Sequence, residues 1–258
     1  MPPAAGLRAN VELSRISDHI TCNLYRVAPS RDAADGSTAT RDKAIFLLEQ
    51  WGMSLPPTLQ LSPEGLSSDP STCALHMHAN HLLILTLRPI LLSAVKVALR
   101  SNGQGGQSQP AGPQWETCIA AALRNMRLAR HLATLQRPRR LLHSSLHFVF
   151  SAALCFLLQG LVGSDDLTTS REVDFAVELF DRESQTGNTY GLSCGSALRE
   201  LQMLIAKMKG GAMAMEVEQA FGHQLMPDGV SWGAASSQGT IDAENMLRGS
   251  VESWLGYS

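Results

Sequence analysis

The residues best suited to chemistry fall into five groups. His76, His78 and His81 stand in H-x-H-x-x-H order. On a helix His76 and His78 point to nearly opposite sides, whereas metal-binding pairs usually sit four apart on one face. Three ligands do not converge from that spacing, so these are expected to be partly buried, hydrogen-bonded histidines. Gly191-Leu192-Ser193-Cys194-Gly195 matches G-x-S-x-G, whose chemistry needs a sharp turn between a buried strand and a helix. The preceding DRESQTGNTY carries no apolar strand, which predicts a helix-start turn capped by Ser193 or Ser196. Asp165-Asp166 resembles half of an aspartate-rich magnesium motif, but the second half is missing, and the pair reads as a loop before a helix. Arg124, Arg127, Arg130, Arg137, Arg139 and Arg140 against Glu116 alone make a basic region of about +5. A solvated helix face is the default for such a run; an anion site, a nuclear-import signal or a partner surface are its functional alternatives.

The fifth group is Arg88-Pro89, and it lies inside the stretch that organises the chain. Ser71 to Arg100 is almost unbroken helix-forming sequence with apolar residues on nearly every face, the pattern of a buried central helix. Asp69-Pro70 marks its start with a capping residue and a proline at the first helical position. Pro89 removes a backbone donor, leaves the carbonyl of Leu85 without its helical partner, and is expected to kink the helix. Arg88 offers five donors in a rigid fork. It is expected to reach a neighbouring helix, donating to a carboxylate or to helix-end carbonyls, with contact to a regulatory anion in a solvent cleft as the alternative.

The remaining elements are also helical in pattern. Ala9 to Arg26 places Leu13, Ile16, Ile20 and Leu24 on one face. After a polar loop from Ala28 to Thr38, Ala39 to Trp51 turns Ala44, Ile45, Leu47, Leu48 and Trp51 inward, and Pro56-Pro57 stops it. Ser54 to Asp69 reads as a proline- and serine-rich linker extended across the surface. Ser101 to Gly112 is a low-complexity loop, after which Pro113 opens a helix with Trp115, Ile119, Ala122, Met126, Ala129 and Ala133 along a narrow seam. A break at Arg137-Pro138 leads into an apolar helix running to Leu161. Thr169 to Glu172 has capping-box spacing before a helix that buries Val173, Ala176, Val177 and Phe180. A loop from Gly187 to Gly195 precedes a helix with Leu198, Leu201, Ile205 and Met208 inward; Gly210-Gly211 ends it, and Ala212 to Phe221 forms a short further helix. These features give an all-α fold, a multi-helix array around a buried, Pro-kinked central helix. Ser71 to Leu99 is expected to be its most buried helix. Residues 1–221 form one helical domain and 222–258 an acidic, disordered tail, with Trp232, Met246, Leu247, Trp254 and Leu255 scattered among the acids as in activation segments.

A chain of 258 residues can build a sizeable core, and a net charge of −2 implies no global pull toward nucleic acid or membrane. The five cysteines are odd in number and widely spaced, which suggests neither a zinc site nor a disulfide framework and fits a reducing compartment. The N-terminal stretch has no apolar signal core. The apolar run within Leu146 to Gly163 is shorter than the about 20 residues of a membrane span and is expected to be a core helix.

Leu75-His76-Met77, Leu82-Leu83-Ile84-Leu85 and Arg88-Pro89-Ile90-Leu91, preceded by Trp51 and Leu55-Pro56, resemble the middle homology region of fungal binuclear zinc-cluster transcription factors. The chain departs from that pattern with Ala79 where the family has tyrosine and Ile90 where it has an aromatic, both apolar replacements able to pack. The resemblance covers about Ala9 to Phe221. It implies a nuclear, all-α regulatory domain that responds to a ligand or partner and controls a separate DNA-binding module. On this reading Trp51, His76, Arg88 and Pro89 are the structural or regulatory residues. Partners are other proteins of the transcription machinery or a homodimer mate, with a small-molecule effector as a further candidate. No C-x2-C-x6-C cluster occurs in this sequence, so zinc is expected only in a separate N-terminal module. This chain itself is expected to carry no cofactor, no catalytic residues, no direct DNA contact and no membrane contact. A helical scaffold or adaptor, not an enzyme, is the alternative role.

Overall fold

The structure is a computed structural model that describes residues 3–25, 33–101, 112–135, 141–162 and 167–222. Among the described residues seven α-helices follow one another: α1 (Pro3–Leu24), α2 (Ala33–Ser54), α3 (Pro70–Ser101), α4 (Pro113–Leu135), α5 (His143–Val162), α6 (Leu167–Gln185) and α7 (Thr189–Gly222). A 3-10 turn, Pro57–Leu59, separates α2 from α3, and no strand occurs among the described residues. The fold is all-α, as the helical periodicities imply.

Helix α3 packs against α1, α2, α4 and α5. Its start is built as Asp69-Pro70 suggests: the Asp69 carboxylate accepts from the Ser71 N–H at 3.2 Å and from the Thr72 hydroxyl at 2.8 Å. Burial pushes the Asp69 carboxyl upward, but those hydrogen bonds prevail and its pKa lies below the ordinary value. The helix continues through Pro89 to Ser101.

One core forms where α1 and α2 meet α3. Ala9, Leu13, Ile16 and Ile20 of α1 step by four and three residues, and they pack with Ala44, Leu48 and Trp51 of α2 and with Leu75 and Leu82 of α3. Leu55 and Leu59 join the same core, Leu59 fully buried. The segment between α2 and α3 is therefore pinned inward by its leucines instead of lying extended over the surface.

A second core lies among α3, α4, α5 and α6. Cys118, Ala121, Ala122, Met126, Ala129 and Leu132 line α4, whose buried face is broader than a single seam because α3 and α5 both press on it. Helix α5 is shielded almost continuously from Ser145 to Leu158. By length and composition both α3 and α5 could cross a membrane; 67% of the apolar window of α5 is buried by its neighbours, against 50% for α3. The most buried helix is thus α5, not α3. The sides of α3 left between its four partner helices stay wet, with Pro89 and Val97 exposed, whereas α5 lies inside its neighbours.

Several boundaries differ from those read off the sequence. Helix α2 begins at Ala33, so part of the expected polar loop is helical. Thr169 to Glu172 lie inside α6, which starts at Leu167, and form no capping box there. Helix α7 starts at Thr189 and runs through Gly210-Gly211 to Gly222 as one helix. Its cap is Asn188, whose side-chain oxygen accepts from the Gly191 N–H at 3.2 Å. Gly187, at φ +84°, makes the turn out of α6. The chain divides into one compact unit ending at Leu198 and a second beginning at Arg199, of which the helical residues to Gly222 are described. The acidic stretch from 223 to 258, Asp165-Asp166 and Arg137 to Arg140 lie outside the described residues.

Candidate functional site

Three sets of side chains meet on α3. The first surrounds Pro89. The Leu85 carbonyl that this proline leaves without a helical donor accepts the Tyr25 hydroxyl at 2.6 Å. Tyr25 directly follows α1, so the end of one helix completes the backbone of another. Arg88 is 5% exposed, and its guanidinium carbon lies 4.9 Å from the centre of the Tyr25 ring. Arg88 thus lies over the face of the Tyr25 ring, and the donor to the freed carbonyl is the tyrosine hydroxyl. Nothing in the spacing of the chain points to Tyr25, which stands sixty residues before its acceptor.

The second set joins Trp51 to His76. The Trp51 indole N–H donates to the Ala9 carbonyl at 3.1 Å, and its ring meets His76 edge-on with centroids 5.7 Å apart. His76 Nε2 lies 2.8 Å from the Leu59 carbonyl and therefore carries the proton. Burial lowers the His76 pKa, and the Leu59 carbonyl offsets part of that. Two residues expected to matter, Trp51 and His76, thus tie α1, α2, the 3-10 turn and α3 together.

The third set contains the other histidines. His78 stacks on Phe148 at 5.5 Å, and His81 lies 4.8 Å from Phe148 and 5.1 Å from His147. His147 Nδ1 is 3.0 Å from the Tyr190 hydroxyl, and the His143 ring lies 4.4 Å from that of Tyr190. His76 and His78 do point to different partners, as helical geometry requires. Burial lowers the pKa of His78. It holds His81 well below the ordinary histidine value, helped by the positive fields of His147, His78 and Arg88. His147 is lowered by burial and then by His143 and Arg88. Burial pushes the Tyr190 hydroxyl up, and a hydrogen bond with Cys194 adds to the shift. Deeper in the same seam the Cys155 thiol is raised by its hydrogen bond with Cys118 and by burial, which makes it an inert core thiol. Among the described residues, no group of three His, Cys, Asp or Glu side chains converges in a metal-binding arrangement.

The arginines of α4 are engaged structurally. Arg124 donates to Asn80 at 3.1 Å, and Arg127 to the Glu64 carbonyl at 3.0 Å. Arg130 holds the buried Glu172 at 2.8 Å and lies 4.2 Å over the Phe175 ring. Glu172, expected in a capping box, is instead half of this α4–α6 ion pair. Beside it, Arg130, Ser170, Arg171, Asp174, Phe175 and Glu178 line an open groove of about 470 Å³ with charges of both signs. His131 reaches the Ser67 carbonyl at 2.8 Å, so side chains of α3 and α4 collect the carbonyls of the linker.

Gly191 to Gly195 occupy the first turns of α7, where no strand-to-helix elbow exists, and the Ser193 hydroxyl turns back to the Thr189 carbonyl at 3.1 Å. Gly191 is required for another reason. A Cβ there would stand 2.9 Å from Glu183 Cβ and 3.2 Å from the Phe180 carbonyl oxygen. The glycine lets the start of α7 close on the end of α6.

Compared with protein-family models, curated proteins and solved structures, the chain finds no match in any of the three.

Proposed function

We propose that this chain is the regulatory domain of a zinc-cluster-type fungal transcription factor, acting in the nucleus on RNA polymerase II transcription through a ligand or partner. The reading rests on the resemblance around α3, and one observation supports it above others. The positions that carry the resemblance are not scattered: Trp51, His76 and the linker after Leu55-Pro56 form one connected anchor, and Arg88-Pro89 forms a second against Tyr25. Both anchors fix how the α1–α2 pair sits on α3, which is where a regulatory domain needs a defined, shiftable packing. Other transcription proteins, a second copy of the chain or a small effector are the partners of this reading, and the separate zinc module supplies DNA contact.

The test is to fuse the full chain to a heterologous DNA-binding domain in a fungal cell and to follow both a reporter and the position of a tagged copy. Nuclear accumulation with a change in reporter output, altered by Arg88→Ala, is the expected result. Cytoplasmic residence with an unchanged reporter would replace this reading with that of a helical scaffold.

A further inference from the structure

His81 is 6% exposed, and its Nδ1 has no hydrogen-bond partner. A proton carried on Nδ1 would find no acceptor there, and the charged ring would sit beside other bases. On its own helix it faces His78 and Arg88, and from α5 it faces His147, all of which act on it with positive charge. Arg124 of α4 bonds to Asn80, the residue next to it in sequence. His147 in turn faces His143 on α5, Arg88 on α3, and Tyr190 at the start of α7. Glu183 of α6 is a carboxylate near the start of α5, and its oxygens are turned to the Leu141 N–H and the Asn188 side chain. The seam between α3 and α5 therefore gathers imidazoles beside the buried Arg88, with the start of α7 joined to it through His147, and among the described residues the charges acting on His81 and His147 come from His78, His143, Arg88 and each other.

We infer that His81, His147 and the His147–Tyr190 hydrogen bond form a proton-operated latch that holds α5 against α3, and the start of α7 against α5, when the imidazoles are neutral and releases them when they are protonated. The step is proton binding alone, with no covalent change. In the neutral seam His81 packs edge-on against His147 and tilted on Phe148, contacts that need no charge. Protonation sets an imidazolium at the buried His81 beside Arg88, and separation of α5 from α3 lets water and counterions reach it. In the opened form the histidines return toward their ordinary value, so acid favours opening from just below neutrality downward.

Amide hydrogen exchange on the full chain between about pH 7.5 and about pH 5.5, corrected for intrinsic rates, tests this. Residues 143–151 and 189–195 are expected to lose protection at least about tenfold on acidification, while residues 13–20 and 48–55 keep theirs. His81→Leu should abolish the acid-induced loss. The His147 residue reaches solvent although its ring packs on His81 and Phe148, so His147→Gln provides a second variant that keeps a polar partner for Tyr190 without a titrating ring. His19→Gln, on α1 and outside the seam, should behave as the wild type. Unchanged protection of the wild type at acid pH, loss spread evenly over the molecule, or undiminished loss in either folded seam variant would each overturn the latch.

Discussion

Arg88 shows how much a single buried side chain controls here. Its guanidinium covers Tyr25, and its charge reaches His81, His147 and Cys155. Arg88→Ala is expected to lower stability by about 2–4 kcal/mol, as removal of one member of a buried polar cluster does, and Arg88→Lys should recover part of that because it keeps the charge and loses the planar fork. Chemical denaturation of the three proteins checks this; an unchanged midpoint for Arg88→Ala defeats the structural role. The same seam fixes the sign of the pH response. His78, His81 and His147 all have folded pKa values below the ordinary histidine value, so the unfolded chain binds protons first. Their contribution is fully present above about pH 6.5 and is lost as pH falls toward the folded values. Arg88 and Pro89 were visible in the sequence because a charged residue and a proline break an apolar helical pattern. Tyr25 was not, because a hydroxyl that serves a distant carbonyl leaves no periodic trace.

At the scale of elements, helix identity followed from spacing and helix ends did not. Leu13, Ile16 and Ile20 are buried as their period implies, and so are Val173, Ala176 and Phe180. The linker between α2 and α3 read as surface because of its prolines, yet Leu55 and Leu59 were the signal that it is held inward. Glycines misled at α7. Gly191 and Gly195 suggested a loop, although glycine in this place answers a packing need: α7 must approach Phe180 and Glu183 closely. Gly191→Ala is therefore expected to destabilise by about 1–3 kcal/mol, opposite to the usual gain from alanine in a helix. Gly160 of α5, where an added Cβ meets nothing within 4 Å, is the control, and Gly160→Ala should be neutral or stabilising. Thermal melts of the two variants decide it; a Gly191→Ala protein as stable as wild type would show that α6 and α7 do not close as described.

For the compact unit that ends at Leu198, the two cores share α3, and Tyr25 is where the end of α1 is fastened to it. That the chain is all-α and centred on an apolar helix was legible from composition and period. The greater burial of α5 was not, since two apolar helices of similar hydropathy differ only in which neighbours surround them. Helix α3 keeps a proline in its interior because Tyr25 supplies the donor that Pro89 lacks, and the end of α1 is fastened there. A double-mutant cycle on stability with Tyr25→Phe and Pro89→Ala tests this most directly. Alone, Tyr25→Phe leaves the Leu85 carbonyl unsatisfied and should cost about 1–2 kcal/mol. With alanine at position 89 a backbone N–H can reach that carbonyl, so the same change should cost less than about 0.5 kcal/mol, a coupling of about 1 kcal/mol or more. Equal costs for Tyr25→Phe in the two backgrounds would contradict the account.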